Sequence, residues 1–110
     1  MDFTGKRVLV FGTGISGIAA AKLLQSKEAE VILFDGNKDL DTGKVLDHLG
    51  DTEHTELYVG ELPENVKKGL DLVILSPGVP VDLPLVNELR EAGLPIWGEI
   101  ELAYRCKKGD

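Results

Sequence analysis

Thiols are nearly missing from this chain. Cys106 is the only cysteine, so no disulfide can form within the chain, and no histidine or second cysteine stands at catalytic spacing from it. Long apolar runs are missing as well: none approaches the ~20 residues that cross a bilayer. The opening residues, Met1-Asp2-Phe3-Thr4-Gly5-Lys6, lack the pattern of a signal peptide. Together these absences lead to the expectation of a cytoplasmic protein. Positive charge is in deficit, with 12 Lys and Arg against 19 Asp and Glu and a formal net charge of −7. That balance argues against nucleic acid and anionic membrane surfaces as partners. The two histidines, His48 and His54, have no companions of metal-ligating type, so no metal site is expected. Internal repeats and low-complexity segments are also absent.

What is present is ordinary in bulk and specific in detail. A hydrophobic fraction of 43% and a charged fraction of 28% fit a globular domain, and 110 residues suffice for a single core. The stretch that organises the chain is Gly12-Thr13-Gly14-Ile15-Ser16-Gly17. It follows the apolar run Val8-Leu9-Val10-Phe11 and precedes a helical pattern from Ile15 to Ser26. A G-x-G-x-x-G turn between strand and helix is the context in which this motif binds phosphates. Gly12 allows the tight turn, Gly14 removes a Cβ where phosphates approach, and Gly17 lets helix and strand close together. Unpaired amides of the helix's first turn then face a ligand at the positive end of the dipole. Ser16 lies in that turn, where its hydroxyl can cap backbone amides or meet a ligand oxygen. The net negative charge does not defeat an anion site, because remote carboxylates are screened over ~8 Å while these amides touch the ligand.

The rest of the chain alternates strand and helix patterns. Strands are expected at Arg7–Phe11, Glu30–Asp35, Leu57–Gly60, Asp71–Ser76 and Pro95–Trp97. Helices are expected at Ile15–Ser26, Lys44–Leu49, Pro63–Lys68, Pro84–Ala92 and Glu99–Lys107. In the first helix Ile15, Ile18, Ala19, Leu23 and Leu24 fall at the spacing of an apolar face. Asp51–Glu56 reads as an exposed polar segment. This alternation predicts an α/β fold, a Rossmann-like doubly wound parallel sheet of five strands. Two further ligand candidates lie at strand carboxyl ends. Asp35 closes the second strand, close to the point where such folds place a ribose-binding acid, about 20 residues beyond the glycines. Ser76-Pro77-Gly78 ends the fourth strand in a forced turn, at the edge where open α/β sheets bind ligands.

Taken in order, three segments resemble the Mur ligases. Gly12-Thr13-Gly14-Ile15-Ser16-Gly17-Ile18-Ala19-Ala20 looks like their nucleotide loop, and Ser76-Pro77-Gly78-Val79-Pro80 like their second ligand loop. Gly98-Glu99-Ile100-Glu101-Leu102 is similar to the segment closing the N-terminal domain of the D-glutamate-adding member. The resemblance implies a ligase of peptidoglycan synthesis that activates a UDP-muramoyl carboxylate with ATP and joins an amino acid to it. It implies three domains, the first holding the UDP part of the substrate, UDP-N-acetylmuramoyl-L-alanine, and the second holding ATP and Mg²⁺. No G-x-x-x-x-G-K-[ST] loop occurs in residues 1–110, so the chain resembles the first domain alone, expected to bind substrate, to need no cofactor of its own and not to catalyse. By position, Gly14, Ile15 and Ser16 would sit on the diphosphate. Asp35 and Gly36 would meet the uracil and ribose, and Ser76, Pro77 and Gly78 would line the same pocket. Gly36-Asn37 stands just after the acid, where family members can carry a basic side chain, with Lys38 next. An NAD-binding domain of an oxidoreductase fits the glycines and Asp35 equally well, but no Cys, His or Tyr–Lys pair is placed for hydride-transfer chemistry. A nucleotide-sensing module without catalysis is a third reading.

Overall fold

The computed structural model describes residues 3–50, 53–80 and 82–109, with side chains as far as Cys106. Asp51 and Thr52 of the expected polar segment, and the side chains of Lys107 and Lys108, lie outside that description. Ten elements alternate in sequence: β1 (Arg7–Phe11), α1 (Ile15–Ser26), β2 (Glu30–Asp35), α2 (Thr42–Leu49), β3 (Thr55–Val59), α3 (Glu64–Lys68), β4 (Leu72–Leu75), α4 (Pro84–Glu91), β5 (Ile96–Gly98) and α5 (Glu99–Gly109). The five strands form one parallel sheet in the order β3-β2-β1-β4-β5. The α/β, doubly wound sheet expected from the alternation is therefore what the chain forms.

Both faces of the sheet are covered, which is why its central strands read as unbroken apolar runs. On one face Val8, Val10, Val31, Leu33, Leu72 and Ile74 meet α1, α2 and α5. The opposite face sends Leu9, Phe11, Ile32, Phe34, Val73 and Leu75 against α3 and α4. Cys106 is buried in the first of these layers, where it acts as a small apolar side chain. On the second face Lys67 ties α3 to α4, with Nζ 3.0 Å from Glu64 and 3.2 Å from Glu88. The hydrogen bond to Glu64 leads the causes that raise its pKa above the usual lysine value.

Several expected bounds need correcting, among them β4, which is Leu72–Leu75 and not Asp71–Ser76. β3 begins at Thr55 and ends at Val59, so the polar pair Thr55 and Glu56 belongs to the strand and Gly60 does not. Parallel pairing of Val31 with Thr55 and Ile32 with Glu56 extends this edge strand through residues that carry no apolar signal. β5 is shifted to Ile96–Gly98, although the Pro95 carbonyl still accepts from Val73 N at 3.0 Å. Finally, Pro63 caps α3 from outside instead of occupying its first turn.

The largest correction concerns α1. Its buried residues are Gly17, Ile18, Ala20, Ala21 and Leu24, whereas Ala19 faces outward and Ile15 is 92% exposed. Small residues at 17, 20 and 21 let the helix lie close to the sheet, and this rotates Ile15 and Ala19 away from it. Ile18 and Leu24 of the expected apolar face are buried and Leu23 packs against the same layer, so the stripe is displaced only at Ile15 and Ala19.

α2 starts two residues earlier than its apolar pattern suggests, because Asp41 caps it: Asp41 Oδ1 accepts from Lys44 N at 3.1 Å. Asp41→Ala should cost about 1 kcal/mol by removing that cap. For a domain of this size the melting temperature should drop by roughly 4–8 °C, which a thermal denaturation series would show; an unchanged melt would mean the cap is energetically idle.

Candidate functional site

The sheet reverses its winding between β1 and β4, where successive connections leave in opposite directions, and ligands bind open α/β sheets outside the carboxyl ends at such a point. Two loops emerge there, the glycine turn after β1 and Ser76–Val79 after β4. Backbone bonds carry the sheet into both loops: Gly12 N donates to Phe34 O at 2.7 Å and Ser76 N to Phe11 O at 3.1 Å.

The three motif glycines differ in what they do. Gly12 has φ +116°, and a Cβ built there would lie 2.8 Å from Ser76 Oγ. The turn thus needs glycine for its backbone and for the approach of the second loop. Gly17 is the tightest position. A Cβ there would overlap the Gly12 carbonyl oxygen and lie 2.8 Å from its carbonyl carbon and 3.2 Å from Ser76 Oγ. The helix therefore presses directly on the turn that precedes it. Gly14 is different: its φ is −74° and its ψ −171°, in ordinary extended backbone, and a Cβ would meet no protein atom within 4 Å. Nothing in the fold itself requires a glycine at 14.

Gly14 is the N-cap of α1 and, being glycine, offers no side-chain cap to the first turn. Its carbonyl accepts from Ile18 N at 3.0 Å, so the amides of Ile15, Ser16 and Gly17 precede the first intrahelical bond. Ser16 is half-buried beside them.

Asp35 reaches the same edge from β2. Thr13 Oγ1 donates to Asp35 Oδ2 at 2.8 Å, and Asn37 N donates to Asp35 Oδ1 at 2.9 Å. Asn37 Oδ1 in turn accepts from Asp39 N at 3.0 Å, which turns the chain away from the sheet. Thr13 escaped the sequence reading. It occupies a variable position of the motif, and only the neighbouring strand reveals its partner.

These residues do not form one closed pocket. Thr13, Gly14 and Ile15 open onto a groove of about 700 Å³ between α1 and α2, floored by Ile18 and Val45 and flanked by Lys22, Lys44 and His48. Ser76 and Pro77 border a hollow of about 400 Å³ with Trp97 and Arg90. Gly36 lines a recess of about 250 Å³ with Phe11, Phe34 and Gly60. Gly78 is exposed, with open space where a Cβ would be. The glycine turn, Ser76 and Asp35 meet at the centre; Gly36, Pro77 and Gly78 lie on the flanks. Such a row of amides and hydroxyls beside one carboxylate can hold an elongated anion that also carries hydroxyl donors.

Known proteins share both sequence and architecture with this chain. Residues 6–98 match the model of the Mur ligase MurD-like N-terminal domain. A UDP-N-acetylmuramoylalanine--D-glutamate ligase of Lachnospira eligens is 50% identical over 99% of the chain, and that of Lachnoclostridium phytofermentans is 45% identical over the same share. The chain spans about a quarter of the length of these curated relatives, 24% in each case. Among solved structures, a pseudomurein peptide ligase type C from Methanothermus fervidus superimposes with a TM-score of 0.69 at 20% identity, over 92% of this chain and 20% of that one. Shikimate dehydrogenase from Aquifex aeolicus superimposes with a TM-score of 0.56 at 16% identity, over 93% of this chain and 45% of that one.

Proposed function

The chain belongs to the Mur ligase MurD-like N-terminal domain family, and from that premise we propose that it binds the UDP part of UDP-N-acetylmuramoyl-L-alanine for the ATP-dependent addition of D-glutamate in peptidoglycan synthesis. The observation that carries the reading is the uncapped first turn of α1, set against Ser76 and the Thr13–Asp35 pair at the carboxyl edge. Amides of Ile15, Ser16 and Gly17 would donate to the diphosphate oxygens, since backbone donors at a helix start bind anions through geometry and dipole together. Asp35 would take hydroxyl donors of the ribose, with Gly36 and Asn37 at the nucleoside end. Ser76, Pro77 and Gly78 would close the side towards β4. Gly12 and Gly17 would serve binding by shaping the turn.

Activation of the substrate carboxylate by ATP and Mg²⁺ is assigned to a central domain beyond these residues, and closure over the amino acid to a C-terminal one. The contribution of residues 1–110 is to hold the nucleotide and fix the direction in which the rest of the substrate leaves. In this reading residues 1–110 bind without catalysing, and the reaction runs in the cytoplasm, where the nucleotide precursor and ATP are both at hand.

Titration of ¹⁵N-labelled chain with UDP, and separately with NAD, tests the reading. UDP should perturb the amides of Gly14–Gly17 and of Ser76 and Gly78 along one binding curve. Movement of only one loop would mean that they do not share a ligand. A stronger response to NAD than to UDP would favour the oxidoreductase alternative.

A further inference from the structure

We propose that Thr13 is a positioning residue for sugar recognition: its hydroxyl fixes the orientation in which Asp35 offers its carboxylate to the ribose. The inference rests on the nucleotide reading above. It assigns part of the discrimination at the sugar to the second residue of the glycine loop and not to the acid alone.

The geometry leads there in three steps. Both carboxylate oxygens of Asp35 already accept a hydrogen bond, Oδ2 from Thr13 Oγ1 at 2.8 Å and Oδ1 from Asn37 N at 2.9 Å. An ionised carboxylate has about four acceptor sites, so roughly one per oxygen stays open. Two open sites side by side match the two donors of a vicinal diol. Second, the carriers of this arrangement are anchored. Gly12 N holds the residue before Thr13 to Phe34 O at 2.7 Å, and Gly60 N holds Asp35 O at 2.8 Å. Third, Thr13 is β-branched and has few χ1 options. A carboxylate fixed from both sides loses little rotational freedom on binding, which raises affinity for a ligand that matches its remaining lone pairs.

Thr13 therefore joins the phosphate end of the site to its nucleoside end before any ligand arrives. Removing the hydroxyl while keeping the shape, in Thr13→Val, should free Oδ2 and let the carboxylate turn. Phosphate binding would be untouched, because the amides of the first turn of α1 do not depend on that hydroxyl.

Calorimetric titration of the 110-residue chain with UDP, 2′,3′-dideoxyuridine diphosphate and pyrophosphate tests this. The parent should prefer UDP over the dideoxy compound by about tenfold, the worth of one or two hydrogen bonds. Thr13→Val should shrink that preference below about threefold and leave pyrophosphate binding within about twofold, while Thr13→Ser restores the parental ratio. A purely structural role would weaken all three ligands together. In an Asp35→Ala background, Thr13→Val should change UDP affinity by less than about twofold, because the hydroxyl acts through the carboxylate. An unchanged UDP preference in Thr13→Val, or a full further loss in the Asp35→Ala background, overturns the inference while leaving the nucleotide reading in place. Failure of the parent to bind UDP at all overturns both.

Discussion

Gly17→Ala should unfold this domain at a temperature at least about 10 °C below the parent. A methyl group at that position has nowhere to go: it overlaps the Gly12 carbonyl oxygen, and the neighbouring atoms are backbone or the short Ser76 side chain. Alanine is the better helix former by about 1 kcal/mol, so propensity alone predicts a gain. The overlap runs the other way and is larger, because forcing atoms into a packed interface costs about 1–3 kcal/mol and more where backbone must move. With total stability of about 5–15 kcal/mol for a domain of this kind, a net loss of roughly 2 kcal/mol or more shifts the melt by about 10 °C. Circular dichroism melts of parent and variant decide it. A melt within about 3 °C of the parent would show that helix α1 can back away from the turn at little cost, and the close approach would lose its structural meaning.

Gly14→Val, three positions away in the same motif, should do the opposite: retain the fold and lose the ligand. Gly14 has φ −74° and a Cβ there faces open space, so a side chain can be attached without backbone strain or a clash at Cβ. The substitution does replace a tolerated N-cap residue by a poor one, which costs about 0.5–1 kcal/mol and a few degrees of melting temperature. In the liganded state the branched side chain would stand where a diphosphate must approach the amides of Ile15–Gly17. Loss of one or two charge-assisted hydrogen bonds, at about 1.5–3 kcal/mol each, lowers affinity for UDP at least tenfold. Asp35→Asn serves as the companion: it should weaken the nucleoside end while pyrophosphate binding persists. A folded Gly14→Val chain that bound UDP as tightly as the parent would remove the glycine loop from the phosphate site and end the reading built on it.

The contrast between these glycines marks where sequence reasoning stops. The motif names Gly12, Gly14 and Gly17 together and gives each a task. Its spacing cannot show that Gly17 is pinned by protein atoms while Gly14 is not. That distinction depends on how far α1 descends onto β1, which Gly17, Ala20 and Ala21 set jointly. The same descent turned Ile15 and Ala19 outward, against their apolar character. Thr13 was invisible for a related reason. Its partner Asp35 belongs to another strand, and a hydrogen bond between positions so far apart leaves no local pattern.

Strand pairing shows the same division. β1, β2 and α1 have the bounds expected of them, because a run such as Val-Ile-Leu-Phe between polar residues can be buried on both faces in few other ways. β3 and β5 moved at their ends, and the central β4 kept its place but lost one residue at each end, Leu72–Leu75 against the expected Asp71–Ser76. Edge strands have a neighbour on one side only, so pairing register, and not their own hydrophobicity, decides where they begin and stop. The short α3 and the start of α2 were set by Pro63 and Asp41 as flanking residues, each visible in sequence but assignable to a cap only once the backbone was known.

What the sequence determined alone was the order of elements, the parallel two-sided sheet and the family, since apolar period, glycine turns and three short motifs are all local or linear properties of the chain. The tertiary structure decided which face of α1 is buried, that the loops after β1 and β4 touch through Gly12 and Ser76, and that Asp35 is held by Thr13 and Asn37. Those are contacts between segments distant in sequence, and their energies depend on distances of a few ångströms that no residue pattern encodes.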